Sequence, residues 1–210
     1  MDDRRILDDA VAALCRYVRF DTTNPPGNEM AAALWLKDQI LEQKITSDIQ
    51  IHEPAAGRGL LVARLAGTKP LKPLMINHHI DVVAAHPVQW SHPPFGGVVA
   101  DGFIWGRGTL DTKGLGVMFL FALASLVKSG VTFRRPVVLT AVPDEEPGGD
   151  QGMRWLVENH LADIDPEWVW DEGPGGFKGV FGDKLLFALA VAEKQIFRVK
   201  LTRSEEHTSE

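Results

Sequence analysis

Apolar and polar positions divide the chain into helices and strands in an almost regular order. Apolar residues recur at helical spacing over residues 4–20 (Ile6, Leu7, Ala10, Val11, Leu14, Val18), and the two prolines and the glycine of "DTTNPPGNE" then break that helix. A second amphipathic helix is predicted over 28–43, with Trp35, Leu36, Ile40 and Leu41 on one side. "DIQIHE" and "GLLVARLAG" alternate as half-buried strands do. "PLMINHHIDVV" is a nearly continuous apolar run interrupted by histidines, which fits a central strand covered on both faces. Residues 84–108 read as one long connection rich in Pro, Gly, Trp and His, and a loop of that length points to function. Its aromatics (Trp90, Phe95, Phe103, Trp105) speak for order.

Downstream, "TKGLGVMFLFALASLVKSG" predicts a buried helix with Gly130 as its C′ residue, and "RPVVLTAV" a buried strand. "GGDQGMRWLVENHL" predicts a short helix, "EWVWDEG" a strand ending in acids, and "KLLFALAVAEKQIFRVKLT" strand material at a sheet edge. Strands alternating with helices give an α/β class: a mixed, mostly parallel twisted sheet flanked by helices.

Composition narrows the partners. The chain has 210 residues, 45% hydrophobic and 24% charged, with a net charge of −6. Its basic residues are scattered, the densest clusters being Arg4-Arg5 and Arg134-Arg135. Phosphate binding needs clustered cations, so neither nucleic acid nor an acidic membrane is an expected partner. The lone cysteine, Cys15, rules out an intrachain disulfide and reads as packing on the first helix. The acidic start "MDDRRILDDAV" lacks the apolar core of a signal peptide, and "GVMFLFALASLV" has only the length of a core helix; the expected location is the cytoplasm.

Chemistry concentrates where strands end, which is where ligands bind in sheets of this kind. The strand at 73–78 runs into His79-Ile80-Asp81, the strand at 136–142 into Asp144-Glu145-Glu146, and the strand at 167–170 into Asp171-Glu172. Asp111 lies just before the buried helix. Each group has an ordinary explanation when taken alone: a buried histidine on a carbonyl, a solvated acidic loop, an N-cap at the helix starting near Thr112, a surface turn. Together they crowd carboxylates in a way that divalent cations would neutralise. His79 reads as a ligand with Asp81 as the group that orients it. Imidazole and carboxylate without cysteine suit Zn²⁺, Co²⁺ or Mn²⁺. The acids exceed the needs of one zinc, so two metals sharing a carboxylate are expected, with one acid left as general base.

The ordered set "TTNPPGNE", "HHIDVV", "WSHPPF", "DGFIWGRGTLDTKG", "PDEEPGGDQG" and "WDEG" resembles the amidohydrolase family of aminoacylases, acetylornithine deacetylase, succinyl-diaminopimelate desuccinylase, carboxypeptidase G and carboxypeptidase S, over about residues 5–202. The resemblance implies a zinc-exopeptidase-like catalytic domain and two divalent metal ions. It implies His79 on the first metal, Asp111 bridging both, Glu146 on the second, and Glu172 completing the first site, with Asp171 a weaker substitute. It implies Glu145 as general base, Asp81 orienting His79, and a cis peptide at Asp111–Thr112. The reaction implied is hydrolysis of an amide in N-acyl amino acids or peptides with a free carboxylate.

The resemblance also implies parts beyond residue 202: a lid and dimerisation domain, through which the full-length parent would form a homodimer, and a returning segment that brings a last metal-binding histidine. Without them the second metal is expected to bind weakly. Residues 203–210, "RSEEHTSE", match residue for residue the translation of AGATCGGAAGAGCACACGTCTGAA, a common short-read sequencing adapter, and read as a non-native tail after a catalytic part spanning 1–202. His207 is therefore not the missing ligand, and resequencing the locus beyond Thr202 tests the reading.

The alternative is a catalytically silent fragment that binds at most one metal. Nucleotide binding through "GRGTLDTKG" is disfavoured, since Asp111 stands where a third glycine is needed and no glycine precedes Lys113. A serine hydrolase is disfavoured because no G-x-S-x-G occurs. His78, His86 and His92 read as loop or packing positions, and His52 and His160 as surface residues.

Overall fold

The structure, a computed structural model, describes residues 3–173 and 176–187. The elements are α1 (Asp3–Val18), α2 (Met30–Glu42), β1 (Ile49–His52), β2 (Leu60–Leu65), β3 (Leu74–His79), β4 (Val98–Ala100), β5 (Phe103–Trp105), α3 (Lys113–Lys128), β6 (Val137–Val142), α4 (Met153–Ile164), β7 (Trp168–Trp170), β8 (Gly176–Lys178) and β9 (Leu185–Phe187). Residues beyond 187 in the expected edge strand, and the tail 203–210, lie outside the described residues.

One sheet, in the order β1-β2-β6-β3-β7, organises the chain up to Glu172. β3 runs parallel to both β6 and β7, while β2 runs antiparallel to β1 and β6. Four of the five strands therefore point the same way and β2 opposes them, which gives the mixed, mostly parallel sheet that the sequence predicts. Successive strand residues face opposite sides, so the sheet builds two cores. Leu61, Ala63, Ile76, Leu139 and Ala141 pack on one side with Tyr17 of α1, Leu36 and Ile40 of α2, and Leu120 of α3. Leu60, Val62, Met75, Val138 and Val142 pack on the other side with Leu156 and Ile164 of α4. Leu41, expected on the buried side of α2, is exposed.

The buried helix and its stop are as expected: α3 ends at Lys128, and Gly130 takes φ +72, the left-handed conformation that suits glycine at C′. The long connection contains more structure than its composition implies. β4 and β5 form a tight hairpin, with Ala100 opposite Phe103. Its two turn residues, Asp101 and Gly102, both have positive φ, as a type I′ turn requires. β7 closes one side of the sheet with Trp168, Val169 and Trp170 exposed. β8 and β9 form a separate antiparallel hairpin, Gly176 opposite Phe187. No helix among the described residues is long and apolar enough to cross a membrane.

Candidate metal centre

The parallel strands β3, β6 and β7 deliver their following residues to one edge of the sheet. His79 is the last residue of β3 and is 1% exposed, and Asp81 just beyond it is fully buried. Ile80 N–H donates to Val142 O (2.8 Å), which keeps the turn after β3 beside the turn after β6. Asp111 enters from the segment before α3. Thr112, the N-cap residue of α3, does not cap that helix with its side chain. Its Oγ1 instead accepts from His79 N–H (3.1 Å) and lies 3.2 Å from His79 O, so Asp111 is fastened to the end of β3. The Asp111–Thr112 peptide is cis.

Imidazole geometry decides what His79 can do. Nδ1 lies 2.9 Å from the backbone carbonyl of Asp81, an acceptor only, so Nδ1 carries a hydrogen. The neutral ring then presents the Nε2 lone pair outward, the form a metal ligand needs. Around Nε2 stand Asp111 Oδ1 at 2.8 Å, Glu172 Oε1 at 3.7 Å and Glu145 Oε2 at 3.8 Å. Two groupings have their ligand atoms within 4.8 Å of one another: His79 with Glu145 and Glu172, and His79 with Asp111 and Glu146. All six residues singled out from the sequence therefore meet at this edge. The geometry refines the expectation for Asp81. Asp81 meets His79 most closely through its carbonyl, with its carboxylate farther off at 3.5 Å. That carboxylate accepts Glu145 N–H (3.0 Å) and Glu146 N–H (3.2 Å) and so fixes the acidic turn.

The adjacent acids separate by their partners. Asp171 accepts from Asn77 Nδ2 (2.7 Å) and from Glu172 N–H (2.8 Å), and Asn77 is itself held by Thr140 Oγ1 (2.6 Å). Asp171 is thus engaged with β3 while Glu172 reaches His79. Asp144, without a role in the sequence reading, is buried on Arg58 Nη2 (2.8 Å) and accepts Gln151 N–H (2.8 Å). Glu146 accepts Val83 N–H (3.2 Å).

Electrostatics follow from one imidazole among many carboxylates. Burial pulls the His79 pKa down, but the hydrogen bond and charge of Asp81, with Glu145 and Glu172, push it up to about 10. Burial raises the carboxyls of Glu145, Glu146 and Glu172; neighbouring acids add to this and His79 opposes it. Without metal, the His79 proton serves as the neutralising cation. Because the folded pKa of His79 is above its ordinary 6.5, its contribution to the metal-free fold is complete below that value and is lost as pH rises through about 10. A divalent cation held on His79 would replace that proton, so metal should bind more tightly at higher pH. The rise in melting temperature on adding Zn²⁺ is therefore expected to be larger at pH 8.5 than at pH 6. An equal or smaller rise at pH 8.5 would contradict this account of the site.

Other histidines have other surroundings. His78 is buried with its Nε2 3.1 Å from Tyr17 Oη and rests on Gly116, and burial pushes its pKa down to about 3, so it is a neutral packing residue as expected. His52 and His160, expected at the surface, are half-buried and stack with ring centres 4.1 Å apart beside Trp155, because β1 and α4 bring them together. Lys113 is wholly buried; its Nζ donates to Phe20 O (2.8 Å) and lies over the Tyr17 ring, and burial lowers its pKa to about 7. The sequence reading missed Asn24, Glu29, Arg58 and Asn77. An arginine between two glycines at the start of an apolar strand, and an asparagine before two prolines, were the available signals. An open cleft of about 730 Å³ lies elsewhere, between α1, α2 and α3, and none of the acids above lines it.

Comparison with known proteins gives consistent results. The profile described as "Peptidase family M20/M25/M40" matches residues 75–202. Aminoacylase-1 of Sus scrofa is 36% identical over 151 residues, covering 71% of this chain and 37% of that protein. A probable carboxypeptidase S-like 2 of Dictyostelium discoideum is 33% identical over 142 residues, covering 63% of this chain and 27% of that one. Among solved structures, the M20 family metallo-carboxypeptidase Sso-CP2 of Sulfolobus solfataricus superposes with a TM-score of 0.68 at 22% identity, covering 79% of this chain and 37% of that chain. The chain thus spans little more than a third of the length of the aminoacylase it matches.

Proposed function

Since the chain belongs to peptidase family M20/M25/M40, we propose that it forms the metal-binding part of a hydrolase that cleaves an amide bond in N-acyl amino acids or in peptides with a free carboxylate. One observation carries the reading: His79 keeps a hydrogen on Nδ1 through the Asp81 carbonyl, and its Nε2 faces carboxylates brought from three other segments. The donor set fits divalent metal, and nitrogen-oxygen donors without sulfur suit Zn²⁺, with Co²⁺ and Mn²⁺ as substitutes. In this reading His79, Asp111 and Glu172 would hold a first ion, and Asp111 and Glu146 would contribute to a second. Bound metal supplies Lewis-acid polarisation of the scissile carbonyl and acidification of water.

The chain's own residues do the remaining work. Glu145 accepts a proton from the attacking water on its carboxylate and returns it to the leaving nitrogen. Burial, with the charges of Asp81 and Asp111, raises its pKa toward the range a general base needs, although His79 opposes this. Asp81 holds the Glu145 and Glu146 main chain and the His79 ring in one arrangement, so the base and the ligands share a reference point. The substrate, its carboxylate-binding groups and any homodimer belong to the longer protein, as do a lid and a further histidine after residue 202.

Hydrolysis of N-acetyl amino acids by the longer protein is expected to need added Zn²⁺, Co²⁺ or Mn²⁺ and to stop with chelator. Full activity after exhaustive chelation would overturn the proposal. The 210-residue chain is expected to bind metal without comparable turnover. Turnover equal to that of the longer protein would show that nothing beyond residue 202 completes the site.

A further inference from the structure

A buried polar chain lies behind the metal centre and joins it to the turn after α1. At its root is Arg58, 4% exposed, between β1 and β2. Its guanidinium contacts four groups. Nε lies 3.1 Å from Glu29 Oε2, Nη2 lies 2.8 Å from Asp144 Oδ1, and Nη1 donates to Asn24 Oδ1 (3.2 Å) and to Pro26 O (2.6 Å). Glu29 is fully buried. Gly27, with φ +81, passes directly over the guanidinium, and a Cβ there would overlap it. The turn "NPPGNE" is therefore shaped around Arg58, at a position that only glycine occupies without strain.

From Arg58 the chain leads straight to the site. Asn24 Nδ2 donates to Asp81 Oδ2 (2.8 Å) and to Asp144 Oδ1 (3.2 Å). Asp81 then accepts the N–H groups of Glu145 and Glu146 and, through its carbonyl, His79 Nδ1. Asp144 sits at the head of the same turn with φ +69, in the left-handed region that is uncommon for residues other than glycine, although aspartate is among those that adopt it most readily. Arg58 and Asn24 hold it there. A buried arginine between two acids is weak evidence for stability as such, since desolvating the charges offsets their attraction. What it fixes is geometry: a planar fork hydrogen-bonded at set angles to Asn24 Oδ1, Pro26 O and Asp144 Oδ1.

We propose that Arg58, through Asn24 and Asp144, is the positioning residue of the metal centre, setting where Glu145 and Glu146 stand relative to His79. The proposal rests on the metal-centre reading above. Arg58 touches neither the candidate ligands nor the space beside Nε2. It acts through the main chain of residues 144–146.

Two readouts on the 210-residue chain test it. In metal-free protein, the Glu145 and Glu146 amides should exchange with solvent faster in Arg58→Gln and Asp144→Asn than in the unsubstituted chain. Co²⁺ affinity, followed by visible absorption, should fall about 10–100-fold, the usual cost of losing a group that orients a ligand. Arg58→Lys keeps the charge without the fork, and should recover thermal stability but not Co²⁺ affinity. Ile164→Ala serves as the control for general destabilisation. Ile164 is buried against the other face of the sheet, beside Asp163, which pairs with Arg64 near the opposite end of β6. If Ile164→Ala weakens Co²⁺ binding as much as Arg58→Gln does, or if the two amides exchange unchanged in Asp144→Asn, Arg58 is merely structural and the proposal fails. Should Arg58→Gln not fold, Asp144→Asn and Arg58→Lys decide the matter by the same readouts. Absence of Co²⁺ binding in the unsubstituted chain would overturn the metal reading itself, while the exchange data would still report whether Arg58 holds the turn.

Discussion

Replacing His79 by alanine is expected to abolish divalent-metal binding by the chain at concentrations that saturate the unsubstituted protein. Both groupings of ligand atoms contain His79, so no alternative three-residue set survives its loss among the described residues. The loss in affinity should exceed the roughly 10–100-fold that follows from removing a residue that only orients a ligand. The substitution also removes the imidazole that, among the described residues, pairs with Asp111, Glu145 and Glu172 in the metal-free state. The variant should therefore unfold at a lower temperature than the unsubstituted metal-free chain at neutral pH, and that deficit should shrink as pH rises through about 10, where the unsubstituted His79 loses its proton. Calorimetric titration with Zn²⁺ and thermal unfolding at several pH values check both statements. Unchanged Zn²⁺ affinity would remove His79 from the centre.

The second large effect separates base from ligand. Glu145→Gln keeps the side-chain volume and the main-chain N–H that Asp81 accepts, and removes the carboxylate's charge together with its ability to take a proton. Hydrolysis by the longer protein is expected to fall about 10²–10⁴-fold in kcat, the usual worth of a positioned general base, with KM and metal content little changed. Glu172→Gln should do the reverse, lowering metal occupancy first and activity only in proportion. The contrast matters because geometry alone does not rank the two residues: their carboxylates lie 3.8 and 3.7 Å from His79 Nε2. If Glu145→Gln loses metal and Glu172→Gln keeps it while losing turnover, the two roles are exchanged.

Much of this site is legible in the sequence because its residues occupy the ends of parallel strands. The apolar runs of β3 and β6 are easily recognised, and a strand's end fixes where the next side chains emerge. His79 and the acidic runs Asp144–Glu146 and Asp171-Glu172 are therefore gathered from the sequence by their strand ends and Asp111 by its place before the buried helix, while the choice of Glu145, Glu146 and Glu172 within those runs rests on the family resemblance. The supporting network is not gathered in this way. Arg58 meets Asp144 across 86 residues and Asn24 meets Asp81 across 57, and no periodicity links such positions. Asp144, to which the sequence reading gives no role, is the buried anchor of the turn. The β4–β5 hairpin was missed for another reason: its strands have only three residues each, too short for alternation to register, although Asp101-Gly102 carried the turn signal. His52 and His160 were misplaced because neither residue's local context shows that β1 and α4 meet.

Anomalous diffraction at the zinc edge, from crystals of this chain grown with Zn²⁺, bears most directly on the central claim. The account predicts a peak about 2.0–2.1 Å from His79 Nε2, with Asp111 and Glu172 oxygens at about 2.0–2.2 Å. A fully occupied zinc elsewhere, with His79 Nε2 still bonded to Asp111 and no metal beside it, would contradict the account.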